Sequence, residues 1–199
     1  MKRTEDIEKI KNVVLYILHT SNGISKDKLY AVMYLSQKDY LTANTISLCP
    51  DTFKAYGCGP VPIYTNAVID SVINDNGVDL MNLSLEQFRS SIHTEKTYMT
   101  DTMLYSSVQP DLDYIAVMQK KCLDKWISIC RDMDKPEMLA SIMDEAWSNA
   151  WKLRLDDPEQ GIITNIAMAR AGGASDELVS RIRERLIIDY ALGNMDSIQ

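Results

Sequence analysis

Two histidines (His19, His93) and four cysteines (Cys49, Cys58, Cys122, Cys130) are the side chains of this chain best suited to metal or nucleophilic chemistry. Eight residues separate Cys49 from Cys58, outside the two-to-four-residue spacing with which one loop grips zinc through two thiolates. Cys122 and Cys130 fall eight positions apart on a helical pattern, roughly on one face, where cysteine acts as a small hydrophobe. No metal site is expected. The turn Gly57-Cys58-Gly59-Pro60-Val61-Pro62 has proline where a dinucleotide loop needs its third glycine, and it lacks the Lys and Ser/Thr of a phosphate loop. Gly172-Gly173 precedes a helix whose first turn carries Asp176 and Glu177, which repel an anion. No Gly-x-Ser-x-Gly elbow is present, and Ser91-Ile92-His93-Thr94 offers no partner that would orient the imidazole as a base. The pairs Asp144-Glu145 and Asp156-Asp157 fall where caps and solvated helix faces are expected. Arg181, Arg183 and Arg185 interleave with Glu177, Glu184 and Asp189 as a salt-bridged face. These spacings assign no catalytic residue and no cofactor, and the chain reads as a non-enzyme.

The elements that must position these residues read as mainly α with a small β element, an α+β single domain. Ile7, Ile10, Val14, Ile17 and Leu18 recur at helical spacing behind Thr4, with Glu5 and Asp6 in the first turn and Asn22-Gly23 as the stop. Ser25 caps a second helix bearing Leu29, Val32, Met33 and Ser36, so the pair is a helix-turn-helix in outline. Between Asn44 and Pro62 the helical period vanishes and three of the six prolines gather. There Phe53 and Ala55, with the alternating Asp51 and Lys54, read as a short strand; a rigid Gly-Pro-Val turn and a helix from Ile63 to Val72 follow, opened by Pro62. Ser84 and Gln87 fit a capping box for a short helix carrying Leu85, Phe88 and Ile92, and Thr97 to Val108 reads as strand or loop. Asp111 precedes a helix on Leu112, Ile115, Met118, Cys122, Trp126 and Ile129 that reaches about Arg131. Asp134, Pro136 and Glu137 open a third long helix with Met138, Leu139, Ile142, Met143, Ala146, Trp147 and Ala150 on one side, closed by Asp156-Asp157-Pro158. Ile162 to Ala171 reads as a short helix stopped by Gly172-Gly173, and Ser175 caps a last one on Leu178, Ile182, Leu186 and Tyr190.

The 199 residues, 46% hydrophobic and 25% charged, match an ordinary globular domain and exclude disorder and low-complexity repeats. A formal charge of −7 opposes phosphate backbones and anionic membranes on average. Residues 1–60 carry eight basic and six acidic groups, a net of +2, so the rest carries −9. The longest uncharged stretch, Ala55 to Ile69, is 15 residues, interrupted by Gly57, Gly59, Pro60 and Pro62, and too short to span a bilayer. No membrane partner is expected. Acids within the first eight residues and four scattered cysteines point away from an export signal and a disulfide scaffold, and so to the cytoplasm. Six of the ten tyrosines lie in the first 64 residues, and Phe53, Tyr56 and Tyr64 flank the Gly-Pro turn. Aromatics beside a preset turn suit a recognition surface or the edge of a core.

The segment Lys28-Leu29-Tyr30-x-x-Met33-Tyr34-Leu35-Ser36-Gln37, then Phe53-x-Ala55-Tyr56-x-x-Gly59-Pro60-Val61, closing on Tyr64, resembles the Panacea domain, the SocA-like antitoxin family of phage-associated proteins. Glu145-Ala146-Trp147 to Trp151-Lys152 is similar to the family's tryptophan-bearing helix. Tyr56 stands where the family usually has Trp, and Asp144-Glu145 where it has a His before the late Trp. The likeness covers most of residues 5–153, leaving 154–199 as a helical C-terminal extension packed on that domain. It implies a mainly helical domain with a small sheet that neutralises a cognate toxin encoded nearby by direct binding, some relatives acting as adaptors to a protease. The partner-binding residues it implies are Phe53, Tyr56, Gly59, Pro60, Val61 and Tyr64. An acidic protein with aromatic anchors suits a basic toxin. The alternative is a DNA-binding regulator of a mobile-element or phage-associated operon, using the helix-turn-helix of residues 4–40.

Overall fold

The computed structural model describes residues 4–75, 83–96 and 102–191. Among them are nine α-helices and two three-stranded antiparallel sheets, a mainly α architecture with a small β element. Helix α1 (Thr4–Ser21) buries the expected apolar stripe and stops where Asn22 (φ 51°) and Gly23 (φ 96°) enter the left-handed region. A Cβ at Gly23 would also stand 2.3 Å from the Tyr105 ring, so glycine is required there. After the two-residue strand β1 (Ile24–Ser25), Ser25 caps α2 (Lys26–Leu41) by accepting the Lys28 N–H at 3.5 Å.

Helix α2 is the axis of the molecule: every residue from Leu29 to Gln37 is buried. Ser36 Oγ makes no hydrogen bond in this enclosure, and a longer polar side chain there must find its partners internally. Gln37 does so by accepting the N–H groups of Leu48 (2.9 Å) and Cys49 (3.0 Å) and donating to Asn165 (3.1 Å), which ties the loop after α2 to the C-terminal part of the chain.

The next strands are β2 (Phe53–Tyr56) and β3 (Gly59–Pro62), a hairpin in which Phe53 faces Pro62 and Tyr56 faces Gly59. The tight turn is Gly57-Cys58, so the Gly-Pro-Val step expected as a turn is itself a strand. Pro62 then N-caps α3 (Ile63–Ile73). Ser84 lies inside α4 (Leu83–Ser90) rather than capping it, and Ile92 belongs to β4 (Ile92–Lys96), which pairs with β5 (Thr102–Ser106). Residues 97–101 of the stretch read as strand or loop lie outside the described residues.

The helix expected from Asp111 is broken. Asp111 caps a 3₁₀ turn (Leu112–Tyr114), and α5 starts afresh at Val117 and runs to Asp132. Gln119 closes its first turn by accepting the Ala116 N–H at 3.1 Å, and also takes the Lys9 ammonium at 2.8 Å. The long helix expected from Asp134 is two, α6 (Lys135–Ile142) and α7 (Glu145–Asp156). The break is at Asp144, whose backbone is extended (φ −80°, ψ −171°) and whose side chain caps α7 by accepting the Trp147 N–H at 3.1 Å. Ile162-Ile163 is strand β6 on β2, not helix; α8 (Asn165–Ala171) begins behind Thr164, which accepts the Ala167 N–H at 3.1 Å. Helix α9 (Asp176–Ala191) follows Ser175 as expected, with Arg181–Glu177 at 2.7 Å and Arg185–Asp189 at 3.1 Å along its solvated side. Ile163, Met168, Ala169, Ile182 and Leu186 join the core that α1 and α2 begin, and Cys130 lies in it with Cys122 packed against it.

Asp39 fastens α2 to α5 by accepting from Lys125 Nζ at 2.7 Å and Trp126 Nε1 at 2.9 Å. Burial pushes its carboxyl up, but these bonds outweigh burial and leave it below the ordinary 3.8. A depressed acid stabilises the fold above its unfolded value and loses that contribution as pH falls through the folded one. Acidification from about pH 5 towards pH 2 is therefore expected to release this part of the stability. Thermal midpoints of wild type and Asp39→Asn should converge over that range, which a pH series by circular dichroism checks.

Candidate functional site

The hairpin β2–β3 stands between two features. On one side a cleft of about 370 Å³ lies between the first turn of α2, the hairpin, α3 and α6. On the other, α7 carries stacked Trp147 and Trp151, ring centres 6.0 Å apart and planes 7° from parallel. Their spacing of four residues puts both indoles on one face of the helix.

Residues of the hairpin tip join the two. Trp147 Nε1 donates to the Tyr56 carbonyl at 3.0 Å, and the Arg154 guanidinium lies 4.0 Å from the Tyr56 ring centre. Gly57 leaves the Trp151 edge open, 3.8 Å from where a Cβ would sit. Tyr56, 37% exposed, is thus the outer plate of an aromatic platform held by an indole hydrogen bond and a stacked arginine. Gly59 has φ 117°, and a Cβ there would fall 2.8 Å from Ile142 Cδ1, so the second strand can approach α6 only as glycine.

The cleft wall is a hydrogen-bonded chain. Tyr30 donates to Asn66 Oδ1 at 3.0 Å, Asn66 Nδ2 donates to Asp70 at 2.9 Å, and Asp70 pairs with Lys26. Burial, then the carboxylates Asp70, Asp51 and Asp27, push the Tyr30 phenol well above its ordinary value of 10.0, so it acts as a donor. Asp27 at the rim meets Lys135 at 3.4 Å. Every acid of the cleft thus has a cation at hand, an arrangement suited to holding a polar group rather than to passing protons. Cys58 is exposed at the mouth.

The six residues implied as partner-binding divide by burial. Tyr56 is exposed and Tyr64 half-buried, whereas Phe53, Gly59, Pro60 and Val61 are buried. Phe53 meets the Tyr34 ring edge-on at 5.5 Å in the core. Trp147, Trp151 and Arg154 complete the platform and are not among the six; the four-residue spacing of the two tryptophans is their signal. Asp51, read as one polar position of an alternating strand, is a buried carboxylate accepting from Thr52 N (2.8 Å), Tyr64 N (3.1 Å), Thr65 N (2.9 Å) and Thr65 Oγ1 (2.7 Å). The signal for it is Pro62, a helix start without a side-chain acceptor of its own.

His93 lies in β4, in the other sheet, and does not line the cleft. Its Nδ1 meets Ser107 Oγ at 2.9 Å and its ring stacks on Tyr105 at 5.5 Å, while Glu95 stands 4.0 Å from Nε2, beyond hydrogen-bond length. Both His93 and Glu95 are exposed, so the trio has no enclosed space in which to work. Among the described residues no three His, Cys, Asp or Glu converge to hold a metal, and no helix is long and apolar enough to cross a membrane. Set against known proteins, the chain matches no family model, no curated protein and no solved structure.

Proposed function

We propose that this chain is a protein-binding module of the antitoxin type, which neutralises a cognate toxin encoded nearby by direct contact. The observation that carries the reading is the platform of Tyr56, Trp147, Trp151 and Arg154 at the hairpin tip. Tyr, Trp and Arg are the residues that dominate binding energy at protein interfaces, because they offer large rigid area with a polar handle. The neighbouring cleft gives a partner side chain somewhere to go, and the net charge of −7 favours a basic partner. In the resemblance of residues 25–69 to the Panacea domain, the same hairpin is the centre of the signature.

Reading of DNA by the helix-turn-helix is disfavoured by the burial of α2 from Leu29 to Gln37, since a recognition helix must offer a free face to the groove. Co-expression with the neighbouring reading frame tests the proposal. Growth arrest by the neighbour alone and rescue by this chain are the expected results; an unrelieved or absent arrest would overturn it. In the rescued pair, Tyr56→Ala and Trp151→Ala are each expected to weaken binding by about 2 kcal/mol, about 30-fold in Kd, with the fold retained. Titration calorimetry on the purified proteins reads that change.

A further inference from the structure

The turn joining α1 to α2 opens on a second cavity, of about 330 Å³, bounded by α5 and β5. That size is in the range of small-ligand sites. Its polar wall carries Lys28 and Arg131 with Ser21 and Ser25, and its apolar wall is Ile24, Met103 and Ile127. In a chain of net charge −7, two cations line this space and no carboxylate among the described residues does. Asp27, the acid of the α2 first turn, lines the hairpin cleft instead.

Among the described residues no carboxylate pairs with Lys28 or Arg131. Lys28 Nζ donates to the Arg131 carbonyl at 2.7 Å, which uses one of its three protons and holds the ammonium against α5. Ser21 belongs to the same wall; its Oγ is buried and makes no hydrogen bond, like Ser36 Oγ in the core on α2. The first turn of α2, a 16-residue helix, starts at the same wall and adds its positive dipole end.

We infer that this cavity binds a small organic phosphomonoester. The phosphoryl dianion sits between the Lys28 ammonium and the Arg131 guanidinium and accepts from Ser21 Oγ, while the organic body lies on Ile24, Met103 and Ile127. Two cations and a hydroxyl donor match a dianion with three oxygens better than a carboxylate, and the apolar wall demands more than a bare ion. This site is separate from the aromatic platform and does not depend on the toxin-binding reading.

Phenyl phosphate, inorganic phosphate and phenol are the probes, titrated calorimetrically into the full chain at low salt. Phenyl phosphate is expected to bind at least about tenfold tighter than inorganic phosphate, phenol not at all, and added salt to weaken the phosphate probes. Arg131→Gln, at an exposed position, should lower phenyl phosphate affinity by about tenfold with an unchanged melting temperature; Ser21→Ala should lower it by about threefold. Methyl resonances of Ile24, Met103 and Ile127 should shift on titration of the wild-type protein, a readout that needs no variant. Absence of phenyl phosphate binding at millimolar concentration, equal binding by Arg131→Gln, or shifts confined to other residues would overturn the assignment.

Discussion

Asp51→Ala is expected to lower the stability of this protein by about 4 kcal/mol, because it strips the start of a helix of its carboxylate acceptor. Helix α3 starts at Ile63 behind Pro62, which has no side-chain acceptor, so its first amides need partners from elsewhere. The Thr52 carbonyl takes the Ile63 N–H at 2.8 Å, and the Asp51 carboxylate takes those of Tyr64 and Thr65 together with the Thr65 hydroxyl. Asp51 and Thr65 are buried, at 6% and 0% exposure, and Tyr64 is half-buried. Burial pushes the Asp51 carboxyl above its ordinary 3.8, and the four donors act against that push. Alanine removes the carboxylate but not the Thr52 carbonyl, and leaves three N–H groups and the Thr65 hydroxyl without that acceptor, the buried ones each costing about 1–3 kcal/mol in part offset by relaxation. Asn keeps one acceptor oxygen but turns an amino group on donors, so about half the loss is expected. Urea unfolding of both variants decides it; a loss below about 1 kcal/mol for alanine would mean that α3 does not depend on this cap.

Asp144→Ala is expected to cost about 3 kcal/mol and to weaken partner binding as well. Asp144 caps α7 at Trp147 N, accepts the Tyr34 hydroxyl at 2.9 Å and pairs with Lys38 at 2.7 Å, where the side chains are 16% and 14% exposed. Tyr34 is fully enclosed. Burial first, then Asp144, hold its phenol well above the ordinary range, so the hydroxyl is a donor that must have an acceptor. Tyr34→Phe alone should cost about 1 kcal/mol, and the double variant less than the sum, because phenylalanine leaves no hydroxyl stranded. Since the same cap orients Trp147 and Trp151, the alanine variant should also change tryptophan emission and lower affinity at the platform. Strict additivity of the two substitutions would show that Asp144 and Tyr34 do not act as a pair.

Both aspartates mark where reading along the chain stops being sufficient. Asp51 and Thr65 are 14 residues apart, and Tyr34 and Asp144 are 110 apart. Hydrophobic period and cap residues act over about four positions and carry no information at such separations. Along the chain Asp144 reads as part of a solvated pair within one long helix, whereas a tyrosine and a lysine of α2 make it the boundary between two. Ile162-Ile163 likewise reads as helix because an apolar pair has no period of its own; the free edge of β2 makes it a strand.

What the amino-acid order determined by itself is local. It includes the stripe of α1 and its stop at Asn22-Gly23, the Ser25, Asp134 and Ser175 caps, the strand at Phe53, and the interleaved charges of α9. Each depends on residues within a turn or two of one another, which interact before any tertiary contact forms. Tertiary packing decided the rest. Enclosure of α2 by the surrounding helices and strands turned a helix-turn-helix outline into a core axis. Burial of Phe53, Gly59, Pro60 and Val61 left Tyr56 as the exposed aromatic of that group, and the approach of α7 to the hairpin tip gave it two indoles and an arginine. Exposure and cross-chain contact are properties of how surfaces meet, and those surfaces exist only once the chain has folded.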